Sequence, residues 1–147
     1  MEEFYPMPLF VQLEVSDVVE VARWYKEALG FRSVFDGPVG PDGKPFIVHL
    51  RKDRYQDLLL VPVGPGQVVQ PSPTLSINFN PGDVTVAELF QSAQKAGTTR
   101  IEGPVERPWN VRELTVYDPD GNIIKFSERL DVNKTFDEVM DGMKPKN

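Results

Sequence analysis

The chain states one plan twice. Asp17-Val18 opens an amphipathic stretch that Gly30 closes, and Asp83-Val84 opens a second that Gly97 closes. Each follows an alternating apolar–polar run and precedes about three further apolar segments. Such internal repetition reads as one βαβββ unit used twice. A unit of this kind covers one sheet face with its helix and leaves the other face bare, which is where a ligand can sit. The expected fold class is therefore α+β: two βαβββ modules forming a curved half-barrel sheet, with helices on the convex face. The expected organisation is an N-terminal arm over residues 1–8, a first module over 9–63, a linker over 64–73, a second module over 74–129 and a C-terminal extension over 130–147.

Periodicity assigns the elements. Leu9 to Val15 alternates, which puts Leu9, Val11, Leu13 and Val15 under a helix and Phe10, Gln12 and Glu14 on the opposite face. Val18, Val21, Ala22, Tyr25 and Leu29 recur at helical spacing. Asp17 with Glu20 suggests a capping box and Gly30 a stop. Phe31–Asp36, Phe46–Arg51 and Leu58–Val63 read as strands, the last nearly all apolar and so central. Residues 37–45, with three glycines and three prolines, read as a turn, and the run GPGQVVQPSP over 64–73 as a connection. Thr74 to Asn80 resumes the pattern, with Ser76 and Asn78 opposite Leu75, Ile77 and Phe79. A second helix capped by Asp83 carries Val86, Leu89, Phe90 and Ala93. Arg100-Ile101 starts a short strand and Glu102 to Trp109 reads as a loop. Phe136, Val139, Met140 and Met143 have the spacing of a short helix in the extension.

The last hairpin is the most specific stretch. Val111 to Tyr117 alternates, Asp118-Pro119-Asp120-Gly121-Asn122 supplies turn chemistry, and Ile123 to Ser127 returns. Pro108-Trp109, Arg112-Glu113 and Asp118-Pro119 through Asn122 together resemble the glyoxalase/bleomycin-resistance/dioxygenase family of the vicinal-oxygen-chelate superfamily, and within it bleomycin-resistance-type proteins. The likeness extends more weakly over roughly Leu9 to Glu128. It implies the half-barrel fold, a dimer in which units pair, and in the family's enzymes a divalent metal held by His, Gln or Glu on the concave face. That metal would chelate two substrate oxygens or activate dioxygen.

Carried onto this chain, the metal-ligand positions fall on Phe10 and Lys125, with Ser76 or Leu75 nearest at the start of the second module. None is a good ligand for a catalytic divalent ion. A shifted site would need Gln12, Glu14, His49 and Glu113 to converge. His49, the only histidine, otherwise reads as a partly buried side chain bonded to a neighbour. Lys125 reads as an ion-pair partner of Glu14 or Glu113, or as a contact for an anionic or carbonyl group. Asp118 and Asp120 read as turn residues, Trp24 as packing, and Trp109 as either a core cap or a stacking surface at a groove mouth. No convincing serine–histidine–carboxylate set can be built around the one histidine, and no phosphate-cradling glycine motif is present.

The site expected from alternation comprises Phe10, Gln12, Glu14 and His49 from the first module. From the second it takes Ser76, Asn78, Glu113, Thr115, Tyr117 and Lys125, with Trp109 at the mouth. No catalytic residue, metal or cofactor is assigned. The leading expectation is a metal-free protein that sequesters a drug or metabolite, as in antibiotic resistance, and its acidic and aromatic contacts suit a cationic, aromatic ligand. The alternatives are a metal-dependent lyase, isomerase or dioxygenase with a relocated metal, and a noncatalytic partner-binding module. A net charge of −6 argues against nonspecific nucleic-acid binding. The absence of cysteine excludes disulfides and thiolate chemistry. No apolar run is long enough for a membrane span and no export signal opens the chain, so the expected location is the cytoplasm and the expected state a homodimer.

Overall fold

The computed structural model describes residues 7–145. Met7 and Pro8 are thus the part of the expected arm that can be described, and residues 1–6 lie outside it. Alternation builds β1 (Val11–Val15), and the apolar stripe with Asp17 builds α1 (Val18–Leu29). Then come β2 (Arg32–Asp36), β3 (Val48–Asp53) and β4 (Gln56–Pro62). The second round is β5 (Ser76–Phe79), α2 (Val86–Lys95), β6 (Ile101–Arg107), β7 (Val111–Tyr117) and β8 (Ile123–Arg129), followed by α3 (Phe136–Gly142). The strands form two four-stranded sheets of identical topology, β1-β4-β3-β2 and β5-β8-β7-β6. In each, the first strand runs parallel to the last, which the helical crossover requires, and the other pairs are antiparallel. Among the described residues no helix is long and apolar enough to cross a membrane.

Local chemistry explains most boundaries and corrects some. Asp17 accepts the Glu20 amide, and Gly30 takes a left-handed conformation (φ 72°) that ends α1. No reciprocal capping box forms there, because the Glu20 carboxylate pairs with Arg23. The second helix begins two residues later than Asp83 suggests. Thr85 is its cap and makes a full capping box with Glu88. Leu9 stands outside β1 and is exposed. The stretch 102–107, read as a loop from its Gly-Pro, is instead most of β6. As an edge strand it tolerates Gly103 (φ 90°) and Pro104 at a register shift between Glu102 and Val105. α3 forms where the spacing put it, with Thr135 and Glu138 as its capping box.

The helical sides of both sheets share one core. Leu13, Val15, Val48, Leu50, Leu58 and Leu60 pack under α1, and Leu114, Val116, Ile124 and Phe126 under α2. An aromatic chain crosses between the modules: Trp24, Tyr25, Phe31, Phe79 and Phe126 follow one another with centroids 4.9, 5.3, 5.2 and 5.8 Å apart. The first three contacts are edge-to-face, the favoured arrangement of ring quadrupoles. Polar ties run alongside. Trp24 Nε1 donates to Thr98 Oγ1 at 2.9 Å, and the Tyr25 hydroxyl donates to Asp118 Oδ2 at 2.7 Å. Asp118 also accepts the amides of Asp120 and Asn122. The turn residue therefore holds the two modules together as well.

Candidate functional site

The helices cover one face of each sheet, so the period of two sends every second side chain to the bare face. On the second sheet that face is polar and built by cross-strand rows. Asn78 of β5 is in register with Lys125 of β8, which faces Thr115 of β7, which faces Glu102 of β6. Beside this row Ser127 faces Glu113, and on its other side Ser76 and Tyr117 both align with Ile123. Ser76, Glu102, Arg107, Thr115, Tyr117 and Lys125 line a cavity of about 240 Å3. The sequence-derived set from the second module thus converges on one surface, apart from Trp109.

Electrostatics organises that surface around Glu113, which is only 8% exposed. Arg107 donates to its Oε1 at 3.1 Å, and Lys125 Nζ stands 3.6 Å from the same oxygen. Two cations and one carboxylate leave the trio with a surplus positive charge, so Glu113 is not a free acid awaiting a cation. Nothing in the sequence marks Arg107 for this role, because its segment reads as a loop; its place at the end of β6 is what brings its side chain to the floor. At the rim Arg100 lies over the Tyr117 ring, 3.8 Å from its centroid, and pairs with Glu102. Glu113→Gln is expected to leave Arg107 and Lys125 facing an amide. Both cations are partly exposed, so the cost is about 1–2 kcal/mol rather than that of a fully buried pair. Denaturant unfolding checks it, and unchanged stability would argue against the network.

Phe10, Gln12, Glu14 and His49 belong to the other module. Gln12 and Glu14 are exposed on β1, and Phe10 precedes that strand. Their sheet shares no hydrogen-bonded strand with the second one. The expected site residues therefore lie on the bare faces of two separate sheets. On the first face Arg51 Nε donates to Asp57 Oδ1 at 2.7 Å, and His49 Nε2 lies 3.3 Å from that oxygen. Asp57 is buried; β4 begins two residues before the expected Leu58 and so takes in this carboxylate. The metal implied by the family resemblance does not fit this donor set. Lys125 is engaged with Glu113, Phe10 has no donor atom, and His49 and Glu113 stand on separate sheets. Among the described residues no group of three or more His, Cys, Asp or Glu side chains is placed to hold an ion.

Trp109 lies in the β6–β7 turn and faces the extension. With Val111 and Arg129 it lines a second cavity, walled by α3. Asn110 (φ 68°) fixes this arrangement: its amide group donates to the Asp131 carbonyl at 2.8 Å and accepts the Asp131 amide at 2.9 Å.

Comparison with known proteins agrees with this geometry. A family model described as the Glyoxalase/Bleomycin resistance protein/Dioxygenase superfamily matches residues 9–126. The chain is 31% identical to Virulence protein STM3117 of Salmonella typhimurium over 121 residues, 79% of each chain. Among solved structures it is similar to a glyoxalase/bleomycin resistance protein from Streptomyces sp. CB03234, with 29% identity and a TM-score of 0.60, covering 81% of this chain and 97% of that one. It is also similar to TnmS3, an antibiotic binding protein from the same organism, with 26% identity and a TM-score of 0.62, covering 82% and 93%.

Proposed function

Because this chain belongs to the Glyoxalase/Bleomycin resistance protein/Dioxygenase superfamily, we propose that it is a metal-free protein that binds and sequesters a small organic molecule, a drug or metabolite, on the bare face of its second sheet. The observation that carries this reading is the engagement of Lys125. The position where the family's enzymes place a metal-binding carboxylate holds a cation already paired with Glu113, beside a cavity lined with hydroxyl and cationic side chains. Sequestration requires a preformed cleft and no reacting group. The antibiotic-binding relative supports the same reading.

Since Glu113 is neutralised, the contacts on offer are donors. Lys125, Tyr117 and Ser76 suit the carbonyl and hydroxyl oxygens of a polyfunctional molecule, so a cationic ligand would have to draw on Glu102 or on Glu14 of the other sheet. We further propose a cytoplasmic homodimer, in which a second copy closes the open sheet faces. A metal-dependent reading would need donors beyond His49 and Asp57 on the first sheet, and no observation favours it over binding alone.

A thermal-shift screen with a panel of polyfunctional antibiotics and metabolites tests the reading, with light scattering for mass. A hit should lose about ten- to a hundredfold in affinity in Lys125→Ala, equivalent to about 1.4–2.8 kcal/mol. Elemental analysis should show far less than one divalent ion per chain. A stoichiometric metal whose removal abolishes binding, or a hit indifferent to Lys125→Ala, would overturn it.

A further inference from the structure

The C-terminal extension lies beyond the residues matched to the family and builds a cleft that the proposed groove does not use. Trp109, Val111, Phe136, Val139, Met140 and Met143 line a cavity of about 430 Å3 between α3 and the β6–β7 turn, within the size range of small-molecule sites. The walls are set by specific bonds: Asn110 clasps Asp131 in both directions, and Thr135 and Glu138 close the first turn of α3. Yet α3 buries none of its residues, and Phe136 is 75% exposed. The apolar side chains of a formed helix thus surround space rather than protein. Exposed apolar surface of this kind gains most from a guest that removes it from water.

Charge narrows the guest. Arg129 and Lys134 also line the cavity. Among the described residues neither makes an ion pair or a side-chain hydrogen bond, although the chain carries a net charge of −6. Most other arginines here, including Arg23, Arg51, Arg100, Arg107 and Arg112, are matched to a carboxylate. We propose that this cleft binds a flat, apolar small molecule bearing a single carboxylate or sulfonate. The Trp109 indole and Phe136 ring offer surfaces for its planar body. Met140 and Met143, flexible and polarizable, adapt to its outline. Arg129 and Lys134 meet the anionic group at the mouth, Arg129 with a planar fork suited to bidentate contact.

The test uses the full chain and two fluorescent probes that differ in charge, 1-anilinonaphthalene-8-sulfonate and neutral N-phenyl-1-naphthylamine. The sulfonate should bind saturably at one site per chain and lose about tenfold or more in affinity in Met140→Glu. The double variant Arg129→Gln/Lys134→Gln, which leaves the apolar walls intact, should weaken the sulfonate several-fold, more at low salt, and leave the neutral probe within about twofold. A hit from the groove screen, read separately, should keep its affinity in the Arg129→Gln/Lys134→Gln variant, so failure here is separable from failure of the proposed groove. Sulfonate binding that ignores Met140→Glu, or equal effects of the double variant on both probes, would overturn the proposal. Absence of sulfonate binding together with a Met140→Glu shift from dimer to monomer would overturn it too, and assign the cleft to a second copy.

Discussion

Asp118→Ala is expected to lower the unfolding free energy by about 3–5 kcal/mol, a large fraction of the stability of a typical domain. The carboxylate is buried and accepts from Tyr25 Oη, from the amides of Asp120 and Asn122 and from Asn122 Nδ2, with distances of 2.7 to 2.9 Å. Alanine leaves those donors without their acceptor, and a buried unsatisfied donor costs about 1–3 kcal/mol. Tyr25→Phe removes one donor of four and should cost only about 1–2 kcal/mol. Denaturant unfolding of both variants checks this, and equal losses would argue against a network centred on Asp118. The pH dependence has a defined sign. Burial raises the Asp118 carboxyl above its usual range, and the hydrogen bonds from Asn122 and Tyr25 offset only part of that. The folded state therefore holds this proton more tightly than the unfolded state. Its contribution is full below the unfolded pKa and is lost as pH rises through the folded one. The stability of the wild type relative to Asp118→Asn should accordingly fall across that acidic window and then level off. A difference that rises across the same window would contradict the burial argument.

Phe31→Ala is expected to cost about 3–5 kcal/mol, the range of large-to-small changes in packed cores. Phe31 is the ring through which the first module's aromatic pair reaches Phe79 of the second. Its loss removes two edge-to-face contacts and opens a cavity at the junction, where neither sheet can collapse without moving the other. Phe31→Leu, which keeps most of the volume, should recover more than half of the loss. A cooperative transition at lower denaturant would fit a shared core. Two separate transitions in the variant would show that this junction supplies the coupling between modules.

Much of the fold is legible in the chain, for reasons of period. Leu13 and Val15 alternate with Gln12 and Glu14, and Val18, Val21, Ala22, Tyr25 and Leu29 repeat at helical spacing, so the buried faces follow from local geometry. Alternation likewise places Ser76, Asn78, Thr115, Tyr117 and Lys125 opposite the core. It falters where a local signal competes with sheet context. Gly103-Pro104 reads as a loop, yet a bulged edge strand accommodates both, and Arg107 enters the floor only because of that strand. Asp57 escapes the pattern for a related reason: a charged residue preceding an apolar run gives no sign that it will be buried against Arg51 and His49.

The duplicated plan, the caps at Asp17 and Gly30 and the substitution of Phe10 and Lys125 at the family's metal-ligand positions are properties of the sequence alone, because each depends on residues close together in the chain. Which side chains meet across the chain is decided by the tertiary structure. Docking of the two helical layers joins Tyr25 to Asp118 over 93 positions and aligns the aromatic chain through Phe31 and Phe79. The same docking leaves Glu14 and His49 on one sheet and Glu113 and Lys125 on another. It also brings Arg107 and Lys125 to one oxygen of Glu113, which reverses the sign of the charge that a reading of Glu113 by itself would give the site. Pairwise electrostatics depends on distances of a few ångströms, and strand register and module packing fix those distances here.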